Sequence, residues 1–293
     1  MTSFENQYLN ISSDILENGI IKSNRTSIYA KSTFSQFIKH DLQDGFPLLT
    51  TKKMFLRGIA EELLWFLRGD TNSKSLSMKG VKIWEGNTTR EFLDAQGLTY
   101  LPEGEIGCAY SHQWRRFGGE HPLIPPTQGC VGFDQVLDVL QKLKQNPSDR
   151  RIIINGWCAN QLEYMALPPC HVLYVFYYNP EKHSLSCHLT MRSSDHFLGL
   201  PFNMASTALM THIFAKAVGM NVGEVAFTMV DSHLYSNSFD AAKEQISRTP
   251  YMPPSLEINK DINSIQDIEN LKWEDFNLKN YNSHPSLKVD MAV

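Results

Sequence analysis

The stretch FLRGIAEELLWFLRGDTN, positions 55–72, carries apolar residues around most of a helical wheel. A helix with so little polar surface has to be enclosed by other elements. Gly69 is placed to end it, because glycine enters the left-handed conformation that closes many helices. Glu62 raises a question: a carboxylate there is paired, protonated or facing a polar cavity, unless it shares a solvated face with Glu61. PFNMASTALMTHIFAKAVGM, at 201–220, reads as a second buried helix ending at Gly219, with Asn203 near its start. A chain of 293 residues can bury the large core these helices require without crosslinks.

Strands supply the partners. Positions 171–178 and 184–192 read as a hairpin around Asn179-Pro180. Its second strand alternates, with Leu185, Cys187, Leu189 and Met191 on one face and Ser186, His188, Thr190 and Arg192 on the other. Cys187 is therefore expected in the core. FDQVLDVLQKLK (133–144) is an amphipathic helix closed by Asn146-Pro147, and in RRIIINGW (150–157) two arginines lead a β-branched strand. The last 40 residues, rich in Asn, Asp and Lys, look loop-like. No repeat or Gly/Ser-rich linker divides the sequence, so one domain is expected over 1–293. Helices and strands mix without regular βαβ alternation, which points to an α+β fold.

A net charge of -4 excludes a strongly basic surface, so neither nucleic acid nor an anionic membrane is expected as a partner. An anionic ligand would need a local basic cluster. The five cysteines, at 108, 130, 158, 170 and 187, are odd in number and lack C-x-x-C spacing. Neither a zinc site nor a disulfide framework is indicated, and no metal is expected. MTSFENQYLN lacks the basic and apolar regions of a signal peptide, and no apolar run approaches a membrane span. A reducing cytoplasm is the natural reading.

Chemistry concentrates in a few places. Cys170, in MALPPCHVLYVFYY, is either a buried small hydrophobe or a nucleophile at a strand end. Arg25, Arg150-Arg151 and Arg192-Ser193 offer forked donors suited to phosphate oxygens, though each alone also reads as a surface arginine. Positive charge near Cys170 would favour its thiolate. His233 and Tyr235, in DSHLYSN, either present two polar tips to one ligand or are a satisfied histidine and a core tyrosine.

DLQDGFPLLTTKK, EELLWFLRGDTN, GVKIW, DRRIII, MALPPCH, RSSDHFLGLPFNMAS, DSHLYSN and the terminal MAV together resemble the thymidylate synthase family, in order and spacing, from about Arg25 to Val293. The resemblance implies a single α+β domain whose large mixed sheet is packed by helices, working as a homodimer with sheets back to back. It implies that dUMP and 5,10-methylenetetrahydrofolate are the substrates. Cys170 matches the nucleophile, and Arg25, Arg192 and Ser193 match phosphate ligands. Arg150 and Arg151 match a pair donated to the other subunit's site. Asn203 matches the reader of the pyrimidine edge, and His233 and Tyr235 match ligands of the sugar 3′-hydroxyl. Glu62 matches the carboxylate that orders water, and Tyr110 a residue near the proton leaving the base. Trp84, Leu167, Asp195 and Val293 match folate contacts, and Lys52 a contact to the folate tail. Asp195 is carried with the catalytic set as well.

The implied chemistry forks late. Thiolate addition at C6 makes C5 nucleophilic, and alkylation there leads to an exocyclic methylene. Hydride then gives dTMP and dihydrofolate, whereas water gives 5-hydroxymethyl-dUMP and tetrahydrofolate. The first outcome is the expected one, with dUMP hydroxymethylase as the alternative and an inactive nucleotide binder as a remote third. Several segments depart from the family wording: RTSIYA lacks two glycines of the phosphate loop, GCAYS replaces Gly-Pro-Val-Tyr-Gly, Met191 stands for Gln, Cys158 for Asn and Val230 for Gly.

Overall fold

The computed structural model describes residues 3–24, 28–124 and 131–291. Arg25, Cys130 and Val293 lie outside the described residues. Seven strands form one mixed sheet: β1 (Ile20–Lys22), β2 (Ala30–Asp41), β3 (Ile153–Asn155), β4 (His171–Asn179), β5 (Ser184–Met191), β6 (Ser194–Asp195) and β7 (Asn221–Tyr235). The order is β1-β2-β7-β5-β4-β3, with β6 beside β7. β7 runs antiparallel to β2 and parallel to β5 and β6, while the other neighbours pair antiparallel.

The two helices expected to be enclosed are so. Leu56–Arg68 and Gly199–Val218 end at Gly69 and Gly219, whose φ angles of 71° and 72° are left-handed. The second packs on β5 and β7, and its Phe214 ring meets Phe176 of β4 at 5.5 Å. Tyr174, Leu189, Phe227 and Ile38 turn inward from four strands, and Cys187 joins them in the core as expected. The opposite sheet face holds Phe37, Tyr177, His188 and Thr228 outside that core, with Phe37 53% and Tyr177 65% exposed. There His188 Nε2 meets Thr228 Oγ1 at 2.9 Å, and Lys39 pairs with Glu224 at 2.8 Å.

Two local expectations need correction. The β-branched run at 150–157 yields only the three residues of β3, an edge strand paired with β4 alone; on its open side the Gln135 side chain takes both backbone groups of Asn155, at 2.8 and 2.9 Å, where a further strand would pair. The tail is not all loop: β8 (Ser255–Ile258) and β9 (Phe276–Lys279) form an antiparallel ribbon around a helix at Ile265–Glu269. Among the described residues, no helix is long and apolar enough to cross a membrane.

Candidate active site

Cys170 is the last residue before β4. It is half-buried, in contrast to Cys187, which is 2% exposed and whose thiol pKa burial pushes up. Its loop is fixed from two sides. The Cys170 N–H donates to the Tyr110 hydroxyl at 3.0 Å. Arg192 donates from Nε to the Pro169 carbonyl and from Nη2 to that of Pro168, both at 2.9 Å, and its N–H reaches the Cys170 carbonyl at 3.1 Å. Proline has no N–H to donate to a strand ladder, so β4 starts only after the two prolines, and the arginine binds their carbonyls outside the sheet. Tyr110 has φ 29° and ψ −91°, a sparsely populated conformation for a residue with a side chain. Burial raises its phenol pKa well above the ordinary value, so the neutral hydroxyl keeps a proton to donate.

Asn203, on the second turn of the Gly199–Val218 helix, places Oδ1 at 2.6 Å from His171 Nε2. Burial pushes the His171 pKa down to about 4, so the ring is neutral. A neutral imidazole carries one N–H, and the Asn203 oxygen can only accept. Nε2 is therefore the donor, and Nδ1 accepts from the Tyr174 hydroxyl at 3.0 Å. The Asn203 amide nitrogen lies 3.8 Å from the sulfur of Met191.

Glu62 does not share a solvated face with Glu61. Glu61 is buried and pairs with Lys79 at 2.6 Å, while half-buried Glu62 accepts from the Trp84 indole at 2.8 Å. Burial raises the Glu62 pKa to about 7, with the indole hydrogen bond opposing. Trp84 is itself buried, 5.4 Å edge-on from the Tyr110 ring. Glu62, Trp84 and Tyr110 thus form one side of the site.

A cavity of about 210 Å³ is lined by Lys22, Ser32, Ser193, Asp231, His233 and Tyr235, among others. His233 Nδ1 lies 3.2 Å from Asp231, which also accepts from Ser32 at 2.7 Å and Lys22 at 2.9 Å. These bonds, that from His233 foremost, hold the Asp231 carboxyl well below the usual carboxylate range. The His233 and Tyr235 rings meet edge to face at 5.1 Å, two residues apart on one strand face. Sequence reasoning found this pair but missed Lys22, Ser32 and Asp231. The one available signal was Asp231, two residues before His233 on the same strand. A larger cavity of about 470 Å³ opens at the other end of β4 and β5, by Tyr177, Asn179 and Ser184, far from the thiol.

Asp195 accepts from the N–H groups of Phe197 and Leu198 at 3.0 and 3.1 Å, and burial raises its pKa. Leu167 is half-buried on the loop before Cys170. Lys52 is buried, at 5% exposure, and donates to the Phe197 carbonyl. Arg150 and Arg151 are not brought to the thiol of their own chain. Arg151 is 85% exposed and holds Asp149 through two bonds of 2.9 and 3.1 Å. Ile153 pairs with Val175, and Arg151 lies two residues farther along, on the order of 20 Å from Cys170 at strand spacing. Of the departures, Cys158 is buried and bonded to Asn160 at 3.0 Å, whereas Val230 and Tyr29 are 38% and 50% exposed. Among the described residues, no group of three or more His, Cys, Asp or Glu could hold a metal ion.

Comparison with known proteins places these features in context. The family model described as Thymidylate synthase matches residues 6–293. A bifunctional dihydrofolate reductase-thymidylate synthase of Paramecium tetraurelia is 46% identical over 99% of this chain and 61% of its own length. Thymidylate synthase of Homo sapiens is 44% identical, with 99% of this chain and 91% of the relative covered. That of Saccharomyces cerevisiae is also 44% identical, with coverage of 99% and 97%. The chain spans 61% and 55% of the bifunctional relatives from Paramecium tetraurelia and Leishmania amazonensis.

Proposed function

Since the chain belongs to the thymidylate synthase family, we propose that it methylates dUMP at C5, yielding dTMP and dihydrofolate. The observation that carries this reading is the half-buried Cys170 thiol, on a loop braced by Arg192 and Tyr110, with the next residue, His171, bonded to Asn203.

The Cys170 sulfur adds to C6 of the pyrimidine, and charge spreads from C5 to O4. Asn203 reads the ring edge: its amide nitrogen faces O4, while His171 steadies the oxygen that accepts from N3–H. This arrangement selects uracil, since cytosine would present a donor to the amide nitrogen. Glu62, with a pKa near 7, orders water at O4 and exchanges protons with it. Tyr110, with its hydroxyl proton retained, stands by the C5 proton that must leave. Arg192, Ser193 and Arg25 take the phosphate, and His233 and Tyr235 the 3′-hydroxyl.

5,10-Methylenetetrahydrofolate, when bound, supplies the carbon and then the hydride. Trp84, Leu167 and Asp195 would hold it together with Val293. An aromatic wall, an apolar wall and a carboxylate acceptor suit a flat pterin rich in N–H groups. We place the chain, as one domain, in a homodimer formed through the outer sheet face, with Arg150 and Arg151 reaching the partner's phosphate site. A reducing cytoplasm would keep Cys170 a thiol.

Incubation with dUMP and 5,10-methylenetetrahydrofolate tests the reading. Dihydrofolate absorbance should rise in step with dTMP. Formation of 5-hydroxymethyl-dUMP without dihydrofolate would instead assign the altered walls at Met191 and Val230 to a hydroxymethylase. Tight dUMP binding without any product would make the chain a binder.

A further inference from the structure

We propose that Tyr174 is a positioning residue that sets which end of the Asn203 amide meets the pyrimidine, and so separates uracil from cytosine without touching either. This inference rests on the dUMP reading of Asn203 given above.

The strand itself brings the parts together. In a regular strand His171 and Tyr174, three residues apart, would face opposite sides of the sheet. A bulge prevents this: the register shifts between His171 and Leu173, so that His171 pairs with Met191 and Tyr174 with Leu189, two positions apart on β5. Both side chains therefore turn into the core, where they are 7% and 2% exposed.

The polar tips then form a directed chain. The Tyr174 hydroxyl lies 3.0 Å from His171 Nδ1, and His171 Nε2 lies 2.6 Å from Asn203 Oδ1. A neutral imidazole has one proton and two nitrogens to carry it. Burial keeps the Tyr174 phenol protonated, and that buried proton needs an acceptor. Thr207 also meets the phenol and gives its own proton to the Asn203 carbonyl at 2.8 Å. Of the two acceptors offered to the phenol, the imidazole nitrogen is more basic than the alcohol, so the phenol donates to Nδ1. The imidazole proton is left on Nε2, which draws the Asn203 oxygen towards the ring. On its other side the amide nitrogen meets the Met191 thioether at 3.8 Å, a weak acceptor with little hold on the amide.

The orientation matters because the two ends of an amide have the same shape and opposite polarity. As placed, Asn203 offers a donor to uracil O4 and an acceptor to N3–H. Turned over, it would offer an acceptor to the cytosine amino group and a donor to the bare N3, an equally good match. The opposite imidazole tautomer would favour that reversal, and the Tyr174 hydroxyl opposes it.

The test compares Tyr174→Phe, which removes one hydroxyl from a buried ring, with the parent. The preference for dUMP over dCMP, read by calorimetry as the ratio of their Kd values, should fall about tenfold, as loss of one hydrogen bond's bias would give. An unchanged ratio would overturn the proposal, since a packing role alone weakens both nucleotides alike. Nitrogen NMR of protein with isotope-labelled histidine gives a readout without turnover, the His171 signals being assigned by their loss in His171→Gln. The proton should sit on Nε2 in the parent and be shared with Nδ1 in Tyr174→Phe. A proton on Nδ1 in the parent, or an unaltered tautomer in the variant, would also overturn the proposal. If the parent makes no dTMP, the functional reading fails, whereas the tautomer still decides whether Tyr174 orients the amide.

Discussion

Cys170 and Cys187 lie 17 positions apart in the sequence, one before the strand pair and one within it. The buried thiol is held protonated, whereas the loop of the half-buried one is hydrogen-bonded by the Arg192 guanidinium. Cys170→Ser should lower kcat by about 10³-fold or more and abolish the covalent adduct with 5-fluoro-dUMP and folate seen by mass spectrometry. Cys187→Ser should retain the adduct. Glu62 gives a pH prediction. Its folded pKa of about 7 lies above the ordinary carboxylate value, so the protonated form is favoured in the folded state. The stability this contributes is complete below the unfolded pKa and is lost as pH rises through about 7. Glu62→Gln should therefore gain about 3 kcal/mol on the parent between about pH 4 and pH 8, measured by denaturant unfolding. The same variant should lose the titration near 7 from its kcat/KM profile. Glu62 was legible because a carboxylate in an apolar helix demands a partner. Lys22 and Ser32 were not, because only the pairing of β1 with β2 and of β2 with β7 brings them to Asp231.

Helix ends were the most readable elements. Gly69 and Gly219 both cap where an apolar run stops, since few other residues adopt positive φ without strain. The cost of losing such a residue depends on its surroundings. At Gly219 an added Cβ meets nothing within 4 Å, so Gly219→Ala should cost only about 1 kcal/mol and leave kcat unchanged. At Gly107, also at positive φ, a Cβ would fall 2.1 Å from the Tyr164 carbonyl. Gly107→Ala should therefore lower Tm far more and shift Tyr110, reducing turnover in the fraction that folds. The tail ribbon and the shortness of β3 escaped notice for a common reason. Each is fixed by groups distant in sequence: β8 by β9 across a 17-residue gap, and Asn155 by the side chain of Gln135. Local periodicity carries no trace of such partners.

For the molecule as a whole, the uncovered sheet face and the position of Arg151 belong together. A two-fold pairing of sheets would cover Phe37 and Tyr177 and bring the arginine end of one copy to the thiol end of the other. Sedimentation should show a dimer, and Thr228→Arg, which places a charge amid that face, should shift it to monomer. Arg151→Ala mixed with Cys170→Ser should regain activity that neither variant shows alone, since one hybrid site keeps both groups. No rise on mixing would refute the shared site. Until such pairing occurs, the Arg151 fork is filled by Asp149. A neighbour's phosphate would thus replace one anion with another, and Asp149 would be released to solvent. Subunit association and nucleotide binding then draw on the same guanidinium and strengthen each other by equal factors. dUMP should tighten the assembly where deoxyuridine, lacking the ester, leaves it unchanged.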